Sequence, residues 1–268
     1  MSCRKPAVAG QFYSSDKKQL ENEIQAFLSK AEARKKEGII GAVVPHAGYM
    51  YSGSVAAYSY KTLMLSVKPK NIVLLGPNHT GLGEPIAVDT HSEWETPLGT
   101  VRVNSELAEK ISCMEFMLDA EAHEYEHSIE VQLPFLQTIF KDFEIIPICL
   151  GDQSKMIMKT LGEKLADTIG KKDIIIASTD FSHYVPYGVA YENDLKAVSD
   201  IIKLNVDSFY ETIRKNNVSI CGYGGVAALM VFAKKRGAEH AELLKYATSG
   251  DATNDRASVV GYSSLIVR

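Results

Sequence analysis

Three apolar runs in this chain end in short polar clusters whose residue types could do chemistry. They are Val44-Pro45-His46, Gly76-Pro77-Asn78-His79 and Ser178-Thr179-Asp180-Phe181-Ser182-His183. Neutral imidazole is the commonest protein ligand for zinc, iron and copper, and a carboxylate or thiolate can complete three positions while leaving others open to substrate. A single strand-end histidine is equally well explained as a structural hydrogen-bonding group, because a polar side chain leaving a core needs a partner. Three such ends would lie along one edge of a parallel sheet, and that convergence points to a shared site.

Two further residues compete for roles in it. Cys221 stands in Ile220-Cys221-Gly222-Tyr223-Gly224-Gly225, a glycine-rich helix start. Aligned backbone N–H groups there favour the thiolate; the plainer alternative is a small buried apolar side chain. His127, in Glu126-His127-Ser128-Ile129-Glu130, is predicted to face the sheet. An acid/base or supporting role for it competes with simple capping of the helix that follows. Hydrolytic signatures are missing: the sequence contains no Gly-x-Ser-x-Gly elbow, no Walker loop and no His-Glu-x-x-His pair. Gly222 to Gly225 lacks the third glycine and the preceding strand of a dinucleotide fingerprint.

The positioning elements follow from hydrophobic patterning. Ile39–Val44, Asn71–Leu75, Phe143–Leu150 and Ile174–Ser178 are apolar without alternation, as expected of strands buried on both faces. Between them, helices are predicted from Ser14–Asp16 to about Lys36, from Gly53 to Leu63, and over 154–169. The acidic stretch Glu121–Glu130 is predicted to run on as a helix carrying Ile129, Leu133, Leu136 and Ile139. Outer helices are expected at about 191–203 and 206–215, another from Val226 to Lys235, and two closing strands at 242–248 and 258–267. Alternation of β and α segments predicts an α/β three-layer sandwich: a central, largely parallel or mixed sheet with helices on both faces. No repeat or Pro/Gly/Ser linker interrupts it, so residues 1–268 are expected to form a single domain.

Composition narrows the partners. With a formal net charge of -4 and no basic tract, nucleic acid is an unexpected ligand. No apolar run reaches membrane-spanning length, and Met1-Ser-Cys-Arg-Lys-Pro has no signal-peptide hydrophobic region. Cys3, Cys113, Cys149 and Cys221 are scattered, which predicts free thiols in a reducing cytoplasm. Oligomeric state is not legible from the sequence.

Several of these motifs, in the same order, resemble the Memo family, also known as protein B of the AmmeMemoRadiSam group. They are Pro6-Ala-Val-Ala-Gly-Gln-Phe-Tyr13, Pro45-His-Ala-Gly-Tyr49, Gly76-Pro-Asn-His79, Glu126-His-Ser-Ile-Glu130, Thr179-Asp-Phe-Ser-His183 and Ile220-Cys-Gly222. The resemblance implies the fold of the class III extradiol dioxygenases, whose site holds non-haem iron. It further implies a metal triad of His46, His79 and Cys221, with Asp180, His183 and His127 as neighbouring pocket or catalytic residues. A thiolate in place of the dioxygenases' glutamate would soften the site toward iron or copper, with zinc a further candidate. Thr80 stands where some members carry a second histidine. The function implied is a metal-dependent redox or dioxygenase-like activity on a small molecule. The alternative is a non-catalytic module that uses the same cleft for an anionic or phosphotyrosine-type peptide.

Overall fold

The structure is a computed structural model describing residues 2–268. Along the first half of the chain the elements are β1 (Cys3–Arg4), α1 (Lys17–Lys30), β2 (Gly41–Val44), α2 (Tyr49–Ser66), β3 (Asn71–Pro77), β4 (Ile86–Val88), β5 (Glu93–Thr96), β6 (Gly99–Arg102), α3 (Ser105–Ile111), β7 (Met117–Leu118) and α4 (Leu133–Ile139). The second half adds β8 (Glu144–Leu150), α5 (Lys155–Thr168), β9 (Ile174–Ser178), β10 (His183–Val185), α6 (Tyr187–Ile202), α7 (Val206–Asn216), α8 (Tyr223–Lys235), β11 (Ala241–Thr248), α9 (Gly250–Thr253) and β12 (Val259–Val267).

Nine strands form one mixed sheet in the order β10-β12-β2-β9-β3-β8-β4-β7, with β11 also paired to β12. Its centre, β2-β9-β3-β8, is parallel throughout, and β12 and β4 join it antiparallel. Alternate residues of each central strand feed opposite cores, as the pleat requires. Ala42, Val44, Ile72, Leu74, Ile174 and Ile176 pack under α1, α2 and α4. Val43, Val73, Leu75, Ile175 and Ala177 pack under α3 and α5 to α8 on the other face. The expected sandwich is therefore the observed architecture. A small sheet, β1-β5-β6, lies apart and holds the N-terminus.

Two local expectations are corrected. The first helix stops at Lys30, because Ala31 is already extended. Glu121–Glu130 does not run on as a helix: two 3-10 turns, Glu121–His123 and Glu130–Gln132, flank an irregular stretch. Buried Glu126 accepts from the backbone N–H groups of His127 and Ser128 there, which takes the donors out of a helical ladder. Trp94 lies within β5, its indole donating to Asp89 Oδ2 at 2.6 Å. Among the described residues no helix is long and apolar enough to cross a membrane.

Candidate metal centre

The parallel centre sets the geometry of the site. Val44 is in register with Ser178, and Leu75 with Ala177. Strands β2, β9 and β3 therefore release His46, Asp180 and His79 at one edge, with Asp180 in the middle. Asn78 steadies the β3 exit: its side-chain oxygen accepts from the N–H groups of Thr80 (3.1 Å) and Gly81 (2.9 Å). Gly76 permits a further close approach, since a Cβ there would sit 2.5 Å from Ser128 Oγ. The Glu126–Ser128 segment consequently lies directly against the end of β3.

His46, His79 and His127 converge, each offering a ring nitrogen within 4.8 Å of the others. Their ring centroids are 4.7 to 5.4 Å apart. Hydrogen bonds decide which nitrogen each presents. Ser178 Oγ donates its only proton to the Ser128 carbonyl (2.6 Å) and accepts from Gln132 Nε2 (2.8 Å). His46 Nδ1, 2.9 Å from the same oxygen, must therefore be the donor, which leaves Nε2 as a bare lone pair. His79 Nδ1 faces Glu126 Oε1 at 2.9 Å. Burial works to raise the Glu126 carboxyl, but the His79 hydrogen bond and charge, with the Ser128 amide, hold it at about 2. Ionised Glu126 can only accept, so His79 donates from Nδ1 and presents Nε2 on its other side. Burial and the neighbouring imidazoles keep His46 neutral, and burial does the same for His127.

Cys221 reaches the group from the loop before α8. Its Sγ lies 3.2 Å from His46 Nε2 and accepts the Asp180 N–H at 3.2 Å. The expected helix-start activation is outweighed: burial and the Asp180 carboxylate push the thiol up to about 12. Asp180 Oδ1 accepts the His46 N–H at 2.8 Å, and burial raises its own carboxyl to about 6. His183 stands across the cleft, where Ser219 receives both its backbone N–H, on Oγ, and its Nδ1–H, on the carbonyl, each at 2.7 Å. The carbonyl can only accept, so Nδ1 is the donor of that bond.

These side chains, except Cys221, line one cavity of about 630 Å³ that Phe12, Tyr51, Tyr184 and Tyr262 close with aromatic surface. All six residues singled out in the sequence thus meet here. Four that support them were not singled out: Glu126, Ser178, Gln132 and Ser219. Glu126 and Ser178 lie inside the motifs themselves. Gln132 is a polar residue in an apolar run, a pattern that already signals a buried hydrogen-bonding task.

The donor set fits a transition metal. Two imidazoles locked to present Nε2 by their Nδ1 partners is the arrangement that metal-ligating histidines adopt. The 3.2 Å between His46 Nε2 and Cys221 Sγ approaches the ~3.5 Å expected for a nitrogen and a sulfur sharing one tetrahedral ion.

Comparison with known proteins places the molecule among relatives. Residues 4–266 match the family model described as Memo-like protein. A MEMO1 family protein of Methanosarcina barkeri is 47% identical over 268 residues, covering 98% of this chain and 99% of that protein. One from Nitrosopumilus maritimus is 41% identical, covering 98% of each. In structure the chain is similar to uncharacterized protein JW3007 from Escherichia coli K12. The TM-score is 0.58 at 15% identity, over 85% of this chain and all of that one, a likeness of fold.

Proposed function

This chain belongs to the Memo-like family, and from that premise we propose a metal-dependent protein whose cleft carries out dioxygenase-like redox chemistry on a small organic ligand. The observation that supports this reading most is the convergence of His46, His79 and His127, with Nδ1 of His46 committed to Ser178 and Nδ1 of His79 to Glu126. His46, His79 and Cys221 are assigned as ligands. A thiolate beside two imidazoles favours iron or copper over harder ions. Such a metal, when bound, supplies one-electron redox capacity and a positive charge beside the ligand.

The protein's own groups do the remaining work. His127, 3.3 Å from Glu126 through Nδ1, is held ready to accept a proton at its other nitrogen. His183 Nε2 faces the cavity as an acceptor for a ligand hydroxyl proton. Asp180 fixes the His46 backbone and adds negative charge next to the ligands. Phe12 and the cleft tyrosines exclude water and give a planar ligand apolar faces.

Oxygen uptake by iron-loaded protein with a panel of catechols tests the catalytic part. Turnover should fall at least about a hundredfold in His183→Gln. Tight binding of a phosphotyrosine peptide, with no turnover in any metal form, would instead identify a binding module.

A further inference from the structure

A second cavity, of about 410 Å³, opens beside the metal cleft and has no part in the chemistry above. Three stretches of chain contribute to both cavities in succession. On α2, Tyr51 faces the cleft, while Ser54 and Tyr58, three and seven residues on, face the second cavity. These spacings put all three on one side of the helix. Tyr184 lines the cleft, and Tyr187 and Tyr191 line its neighbour. At the β11–α9 corner, Ser249 and Thr253 face the cleft, while Ala247 and Asp251 face the second cavity. The two are successive stations along the chain at each of these places.

The second station has a definite chemistry. Tyr187 and Tyr191 stack one turn apart on α6 at 6.0 Å and 19°, and Tyr246 meets Tyr191 edge-on at 5.6 Å. Tyr246 cannot turn away, because its hydroxyl donates to buried Asp194 Oδ2 at 2.9 Å. Lys30 and Lys245 supply positive charge, with Lys245 Nζ 5.6 Å from the Tyr58 ring centre. Asp251, the acid in the lining, already accepts the Thr248 N–H at 2.7 Å and its hydroxyl at 3.1 Å. A pinned Tyr246 beside the stacked Tyr187–Tyr191 pair, with cations at the rim, suits a planar anionic group.

We infer that this tyrosine–lysine cavity binds the planar aromatic, carboxylate-bearing end of an elongated ligand whose other end reaches the histidines. The inference rests on reading the cleft as a ligand site.

Calorimetric titration of the full chain with 2-naphthoate tests it, against neutral 2-naphthalenemethanol. Tyr191 is 45% exposed and Lys245 is exposed, so substitutions there leave the core intact. Saturable naphthoate binding is expected, at least tenfold weaker for the alcohol, for Lys245→Glu and for Tyr191→Ala. His46→Ala should bind naphthoate as the wild type does while losing metal, which separates this inference from the metal assignment. Absence of saturable binding, or equal affinity in Lys245→Glu and wild type, would overturn it.

Discussion

At the residue scale, the carboxylate of Glu126 matters as much as any ligand. It receives the backbone N–H groups of His79, His127 and Ser128 as well as the His79 ring. Glu126→Gln replaces one acceptor oxygen with a donor that faces these N–H groups, so His79 loses its fixed tautomer. Metal affinity should fall about 10–100-fold, as measured by competition with a chelator. An unchanged affinity would show that His79 is held by other means.

A second polar pair sits away from the metal cleft. His91 Nδ1 contacts Asp89 Oδ1 at 2.7 Å, and its Nε2 contacts Glu124 Oε1 at 3.2 Å. The hydrogen bond to Asp89 raises the imidazole above its usual 6.5, against the effect of burial. Burial works to raise Asp89, but His91, His123 and the Trp94 indole bring it below 3.8. The His91 contribution to stability is therefore complete below about pH 6.5 and is lost as pH rises through its elevated value; the Asp89 contribution is complete above about 3.8 and is lost as pH falls through its depressed one. Between pH 6 and 9, the denaturation midpoint should drop more in the wild type than in His91→Asn. Parallel curves would contradict this pairing.

At the element scale, the site depends on close approaches between chain segments. A Cβ on Gly222 would lie 2.4 Å from the Ser178 carbonyl and 2.9 Å from Thr179 Cβ, so the Cys221 loop touches the end of β9 through a missing side chain. Gly222→Ala should cost about 1–3 kcal/mol in urea unfolding and move Cys221 off His46, weakening metal binding as well. Stability lost without any change in metal affinity would argue against Cys221 as a ligand.

The same scale shows what patterning could reveal. Unbroken apolar runs such as Ile174–Ala177 announced buried strands, and their polar ends announced the site, because period and burial are local properties. Glu121–Glu130 misled for an equally physical reason: its acidic and apolar residues suit a helix, yet Glu126 is held by its neighbours' N–H groups and by His79 just beyond β3, far away in sequence. The tautomers of His46 and His79 were hidden likewise, since they depend on Ser178 and Glu126 meeting them across the sheet edge. The N-terminal activation expected at Cys221 was overruled by burial and by Asp180, neither visible from spacing.

At the scale of the whole molecule, the N-terminus is tied to the site. Arg4 and Glu130 form an ion pair with fully buried side chains. Arg4 also donates to the His123 and Glu126 carbonyls and lies 4.3 Å from the Trp94 ring centre. Glu130 in turn accepts the Ala7 and Val8 N–H groups and the Tyr13 hydroxyl. The first residues thus brace the irregular segment that carries Glu126 and His127. Arg4→Met should cost ~3–5 kcal/mol, because it leaves a buried carboxylate without its cation. A loss under 1 kcal/mol by chemical denaturation would show that the brace is dispensable.

The central claim is that this sheet edge is a metal site, and metal stoichiometry tests it most directly. Anaerobically purified protein, loaded with iron(II) or copper and desalted, should retain about one ion per chain. His46→Ala and His79→Ala should retain almost none, and Cys221→Ser should retain much less than His127→Gln. Equal retention by wild type and His46→Ala would contradict the account, and loss confined to His127→Gln rather than Cys221→Ser would move the third ligand to His127.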